Sequence, residues 1–195
     1  IILANYKNVP QGMLCTTLEN EKGVKVSTVE HLLAAFFLAE IDNAIVEINN
    51  EEVPIMDGSA KDFLSILQQA GIMTQTKKRK YLKILNSVDF SDGTRKIRIE
   101  PNEKSFEVDF ELNYQNKIIG NQQNCVNFDK DELNDIINSR TFCLYEDIEK
   151  IKKKGLAKGG SLENAIVVKE NEVLNKDGLR NSKEFVNHKI LDCMG

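Results

Sequence analysis

The chain contains no tryptophan, only two histidines and only three prolines in 195 residues. No stretch approaches the roughly 18 consecutive apolar residues of a membrane-spanning helix, and no signal peptide is read at its start. There is no basic excess. Lys and Arg number 26 against 30 Asp and Glu, a net charge of -4, which argues against a general nucleic-acid binder. The cysteines, Cys15, Cys125, Cys143 and Cys193, never fall at C-x-x-C spacing, which argues against a thiolate zinc site. They are expected to pack as small apolar residues in a reducing cytoplasm. Gly159-Gly160 is not followed by the Gly-Lys-Ser/Thr ending of a phosphate loop. Repeats and low-complexity segments are also lacking.

What is present is an ordinary globular composition, 41% hydrophobic and 29% charged. Ser27 and Glu30 have the S-x-x-E spacing of a capping box, and the run Leu32–Leu38 that follows is apolar almost all round, so a buried helix is expected there. Ala44–Ile48 reads as a strand, Asp57-Gly58-Ser59 as a turn and cap, and 60–70 as a helix ended by Gly71. The basic run Lys77–Lys80 reads as a solvated linker between two regions. Strands are expected near 81–89, 94–100 and 105–112, helices over 129–138 and 146–154, and a flexible loop over Ala157–Ser161. A strand at Ile166–Val168 and a last helix from Lys183 complete the pattern. Strands and helices do not alternate strictly, which predicts an α+β fold rather than a doubly wound sheet. The expected division is a first domain over 1–76, a linker over 77–80 and a second domain over 81–195. Because the chain opens on Ile1 and stops at Cys193-Met194-Gly195 within a helical pattern, it is expected to be a piece of a longer one.

With so few histidines, each one carries weight. His188 and Asp192 are four residues apart on the last expected helix, so both project from one face. His31 lies in the first turn of another helix, whose positive end disfavours imidazolium and so suits a neutral metal ligand. Two imidazoles and one carboxylate leave a zinc ion an open position, the pattern of a catalytic site. Glu30, beside His31, would take a proton from the attacking water. The competing reading is plain: polar pairs at this spacing are common on helix surfaces, and Glu30 would serve only as a cap.

The wording around these residues is more specific than their spacing. Val26-Ser27-Thr28-Val29-Glu30-His31-Leu32-Leu33 resembles the Ser-Thr-x-Glu-His-Leu motif of the UDP-3-O-acyl-N-acetylglucosamine deacetylases. Further motifs of that family are resembled, in order, by Glu52–Ala60, Ser139-Arg140-Thr141-Phe142, Gly155–Ala165 and Phe185–Asp192. The resemblance implies two α+β domains, each a layer of sheet on a layer of helices, with the site between them. It implies zinc-dependent hydrolysis of the N-acetyl group of UDP-3-O-[(3R)-3-hydroxyacyl]-N-acetylglucosamine, the committed step of lipid A synthesis in the Gram-negative cytoplasm.

Carried over by position, the resemblance makes His31, His188 and Asp192 the metal ligands and Glu30 the general base. Thr141 would donate to the oxyanion, and Lys189 would add positive potential beside the substrate. Met13, Leu14, Phe142, Asp147, Gly160 and Ser161 would contact substrate. A β-α-β insert over about 142–168 would form an apolar passage for the acyl chain, with Leu144, Ile148, Leu162, Ala165 and Val167 as candidate lining. The family's general-acid histidine would fall past Gly195, so weak turnover is expected of these 195 residues alone. Zinc is implied by the family, and other divalent ions suit the same donors. The alternative is a non-catalytic or strongly impaired binding module of the same fold.

Overall fold

The structure, a computed structural model, describes residues 1–11, 14–153 and 159–195. β1 (Thr17–Glu19) and β2 (Lys25–Ser27) form an antiparallel hairpin that leads into α1 (Glu30–Leu38) and then α2 (Lys61–Ala70). Two more hairpins follow, β3 (Val88–Asp92) with β4 (Arg95–Ile99), and β5 (Glu107–Asn113) with β6 (Asn121–Asn127). After the single turn α3 (Asn134–Ile137) come β7 (Phe142–Leu144), α4 (Tyr145–Lys153), β8 (Ile166–Lys169) and β9 (Glu172–Val173). β7 and β8 pair in parallel across α4, and β9 adds antiparallel to β8. α5 (Glu184–Asp192) comes last. Small separate sheets beside helices, with one β-α-β unit, make an α+β fold. None of the described helices is long and apolar enough to cross a membrane.

Several elements match the sequence pattern closely. α2 stops where Gly71 takes φ 77°, a left-handed conformation that favours glycine. α4, β8 and α5 lie where their patterns place them. The loop expected at Ala157–Ser161 and the helix end at Gly155 fall partly outside the described residues, as does Met13.

Other expectations are corrected. Ala44–Ile48 forms no strand: Ile45 is 94% exposed, and an extended segment becomes a strand only when a neighbour takes its backbone hydrogen bonds. The strand expected over 81–89 begins only at Val88. The helix expected over 129–138 shrinks to Asn134–Ile137. Asn127 accepts from the Asp129 N–H at 3.1 Å and Asp131 accepts from the Asn127 N–H at 2.7 Å, side-chain bonds that compete with helix formation. α1 buries one face, with Ala34 and Ala35 inside, while Phe37 stays 44% exposed and meets Phe106 and Phe128 edge-on. β6 escaped the pattern because its sequence, Asn-Gln-Gln-Asn-Cys-Val-Asn, is almost wholly polar. Pairing with β5 makes it a strand, which side-chain propensity does not foretell.

Two apolar clusters hold the fold. One gathers α1, α2 and the end of α5 around Ala34, Ala35, Phe63, Leu64, Ile190 and Leu191. The other packs Phe185 and Val186 of α5 against Leu112, Ile119, Ile166 and Val168. α5 therefore belongs to both, and its turns are fixed from two sides.

Candidate metal centre

The hairpin and the loop after α1 set the entry to that helix. Ser27 donates its N–H to Glu51 O at 2.9 Å and accepts from Val53 N–H at 3.0 Å. The next residue, Thr28, has φ 60°, costly for a β-branched side chain, and its hydroxyl donates to Glu52 at 2.8 Å. The expected capping box is absent. The residue before α1 is Val29, which makes no side-chain cap, and Ser27 Oγ pairs with Thr17 Oγ1 instead. The Glu30 carboxylate accepts the Thr16 N–H, outside its own helix, at 2.9 Å. The Ser27–Glu30 capping box therefore does not account for Glu30.

α1 and α5 bring both histidines together. The rings of His31 and His188 lie 5.0 Å apart, edge to face, and both are almost wholly buried. Asp192 Oδ1 stands 3.3 Å from His188 Nε2 and 3.6 Å from His31 Nε2. One donor atom from each of the three residues falls within 4.8 Å of the other two.

His188 Nδ1 is 3.0 Å from the carbonyl oxygen of Ser139. A carbonyl only accepts, so Nδ1 carries the proton and Nε2 presents a lone pair toward Asp192. Two lone-pair atoms facing each other at that distance repel unless a cation lies between them. Among the described residues, Asp192 Oδ1 and His31 Nδ1 are the buried side-chain polar atoms without a hydrogen-bond partner. The Asp192 Oδ1 orphan, which faces the Nε2 atoms of both histidines, calls for an explanation in a folded protein. Donors roughly 2.0–2.1 Å from a tetrahedral zinc stand about 3.3 Å apart, so the spacing suits the ion. The residues fit a divalent metal.

The surrounding charges are consistent with that. Burial, reinforced by His188, holds the His31 pKa down to about 4, so this ring stays neutral. Burial likewise lowers His188, against the opposing pull of Asp192. Asp192 is raised by burial, yet His188 and Lys189 outweigh it and keep the carboxyl below its ordinary range. Burial pushes the Glu30 carboxyl up, against the hydrogen bonds from its own N–H and that of Thr16, toward the range useful for a base. Lys189 is lowered by burial but raised more by Asp192, so it remains an ammonium. Its Nζ donates to Asp192 Oδ2 at 2.8 Å and sits 5.3 Å from the centre of the Phe142 ring.

The remaining expected site residues are more dispersed. Phe142 lies beside His188, with ring centroids 6.4 Å apart. Thr141 enters β7 with its N–H on Gly58 O and its carbonyl accepting from Ile166 N, each at 2.8 Å. Asp147 sits on α4 and pairs with Lys150 at 2.8 Å. Ser161 organises a turn, its N–H on Asn164 Oδ1 and its hydroxyl accepting from Glu163 N–H, and Gly160 beside it is exposed. Leu14 is exposed with φ 73°. Of the expected passage lining, Val167 is buried, Leu144, Ile148 and Ala165 are half-buried, and Leu162 is exposed.

Sequence reasoning missed Ser139, which orients His188 through a backbone carbonyl that no side-chain pattern reveals. It also missed the ion pair of Arg140 with Glu184, joined at 2.8 Å and buried on both sides. A charged residue one turn before His188 was the available signal.

Residues 1–195 match the UDP-3-O-acyl N-acetylglycosamine deacetylase family. Curated relatives named UDP-3-O-acyl-N-acetylglucosamine deacetylase are similar over 100% of the chain. Those from Shewanella violacea, Shewanella frigidimarina and Shewanella oneidensis are 41%, 45% and 44% identical over 197 residues. The chain spans 64% of the length of each of these relatives.

Proposed function

The chain belongs to the UDP-3-O-acyl N-acetylglycosamine deacetylase family, and from that membership we propose that its residues serve metal-dependent hydrolysis of an N-acetyl group on an acylated UDP-N-acetylglucosamine. The observation that carries this reading is the convergence of His31, His188 and Asp192 around an unpartnered carboxylate oxygen, beside the buried carboxyl of Glu30. The reaction belongs to lipid A synthesis in the cytoplasm, as the resemblance implies. The two-domain division at 77–80 belongs to the same proposal.

His31 Nε2, His188 Nε2 and Asp192 Oδ1 would hold one zinc ion. When bound, zinc supplies positive charge that favours hydroxide over water and polarises the amide carbonyl. Glu30 takes a proton from the attacking water on the carboxylate oxygen that Thr16 does not occupy. As water adds, the amide oxygen becomes an oxyanion, and the Thr141 hydroxyl donates to it. Lys189, an ammonium held by Asp192, adds positive potential to the same space. Phe142 supplies an apolar wall for the sugar. Breaking the C–N bond releases acetate and an amine whose nitrogen gains a proton, in balance with the one Glu30 took from the water. The resemblance assigns its delivery to a further histidine of the family, since neither His31 nor His188 supplies it while both hold the metal. Met13, Leu14, Gly160 and Ser161 would border the substrate, and Asp147 its nucleotide end. The β7-α4-β8 unit would guide the acyl chain.

Full-length protein tests this reading. It should contain one zinc per chain, lost in His31→Ala. It should release acetate from the acyl-UDP-sugar, and Glu30→Gln should slow that release by about 100- to 10,000-fold while keeping the metal. Zinc-loaded protein that releases no acetate would point to the binding-module alternative. Zinc content unchanged in His31→Ala would remove the metal site itself.

A further inference from the structure

The buried pair of Arg140 and Glu184 has an unusual position relative to the metal centre. Glu184 is fully buried in the first turn of α5, one turn before His188. Its carboxylate accepts from Arg140 N at 3.1 Å, Arg140 Nε at 2.8 Å, Arg140 Nη2 at 3.2 Å and Arg180 N at 2.6 Å. The first of these bonds matters most. The Arg140 N–H and the Ser139 carbonyl belong to one planar peptide unit, and that carbonyl accepts from His188 Nδ1 at 3.0 Å. α5 thus grips one rigid plane on both edges, with Glu184 on the N–H and His188 on the C=O. The Arg140 guanidinium is itself fixed by Gly178 O at 2.8 Å.

We propose that Glu184 is a positioning residue for the metal ligand His188, acting through the Ser139–Arg140 peptide. The proposal rests on the metal reading of His31, His188 and Asp192. A carboxylate on the N–H fixes the tilt of the plane and so the aim of its carbonyl. It also polarises the peptide, making the carbonyl a stronger acceptor for the His188 Nδ1 proton. That proton is held in place and Nε2 becomes a better donor to a cation, as when a carboxylate touches a ligating histidine directly. A buried ion pair gives little stability over apolar packing of the same volume. Aiming a carbonyl, however, needs a directional acceptor, which apolar packing cannot provide.

The test uses full-length protein, wild type, Glu184→Gln and the double variant Arg140→Met/Glu184→Gln. The double variant leaves no lone guanidinium buried, so it carries the test where the single variant fails to fold. Zinc affinity is measured by competition with a chromophoric chelator, and the His188 ring is followed by long-range ¹H–¹⁵N correlation in the metal-free protein. Zinc binding should weaken by about 10- to 100-fold. The His188 Nδ1–H signal should move upfield while that of His31 stays. A folded variant with wild-type zinc affinity and an unmoved His188 signal overturns the relay, even if its unfolding temperature falls. Wild-type protein that binds no zinc overturns the metal reading and the relay together, which separates the two failures.

Discussion

Asp192 divides its two oxygens between different tasks. Oδ2 receives the Lys189 ammonium, while Oδ1 faces both imidazoles with no hydrogen bond of its own. His31 is the other half of this arrangement, a ring held neutral by burial down to about pH 4. The sign of its effect on stability follows directly. Unfolded, the ring takes a proton near pH 6.5; folded, it resists until about 4, so between these values the unfolded chain binds more protons. The His31 contribution to the stability of the metal-free protein should be fully present above about pH 6.5 and lost progressively down to about 4, on the order of 3 kcal/mol, offset in part by Glu30, whose raised carboxyl acts in the opposite sense. Denaturant titrations of chelator-treated protein at pH 7.5 and pH 5 measure this. Equal midpoints at the two values would contradict it. Glu30 shows how much residue-level reasoning depends on direction: the spacing of Ser27 and Glu30 spelled a cap, yet the carboxylate bonds to a different segment.

At the scale of elements, turns position the site as much as helices do. The turn Asp57-Gly58-Ser59 joins residues distant in sequence. Asp57 receives Arg180 at 2.8 Å, and Gly58 O receives the Thr141 N–H at 2.8 Å. Gly58 has φ 84°, and a side chain there would be driven into the backbone carbonyl of Asn164. Gly71 has a similar φ, 77°, but open space around it. Gly71→Ala should therefore cost only the ~1–2 kcal/mol of left-handed backbone, and Gly58→Ala distinctly more. Thermal unfolding of both variants compares them, and equal shifts would show that the approach to Asn164 does not matter. The motif that contains Gly58 was readable in the sequence. Its reason, a close approach between segments about a hundred positions apart, was not.

For the whole molecule, α5 is the element on which fold and site coincide. Its Phe185 and Val186 enter one apolar cluster, and Ile190 and Leu191 the other, while His188 and Asp192 face the centre between them. Phe185→Ala should cost roughly 3–5 kcal/mol of stability. Because the ring also meets Phe142 at 5.0 Å, zinc affinity should fall with it. Calorimetry and chelator competition on the same variant test the link, and full zinc affinity in a destabilised protein would uncouple core from site.

The sequence by itself determined the α+β class and, to within a residue, where α2, α4, β8 and α5 lie, because these depend on local periodicity. It singled out His31, His188 and Asp192 as candidate metal ligands, because histidine is scarce and the motifs around these residues resemble those of the family. It misread Ala44–Ile48 and β6 because strand formation depends on a partner's backbone, which local pattern does not contain. Only the tertiary structure decided that His31 meets His188, that Asp192 is left one open oxygen, and that Glu184 and His188 grip the same peptide. Those relations arise when α1, α5 and the Ser139–Thr141 segment close on one another, where distances of a few ångströms decide which polar atoms are satisfied and which remain for a metal.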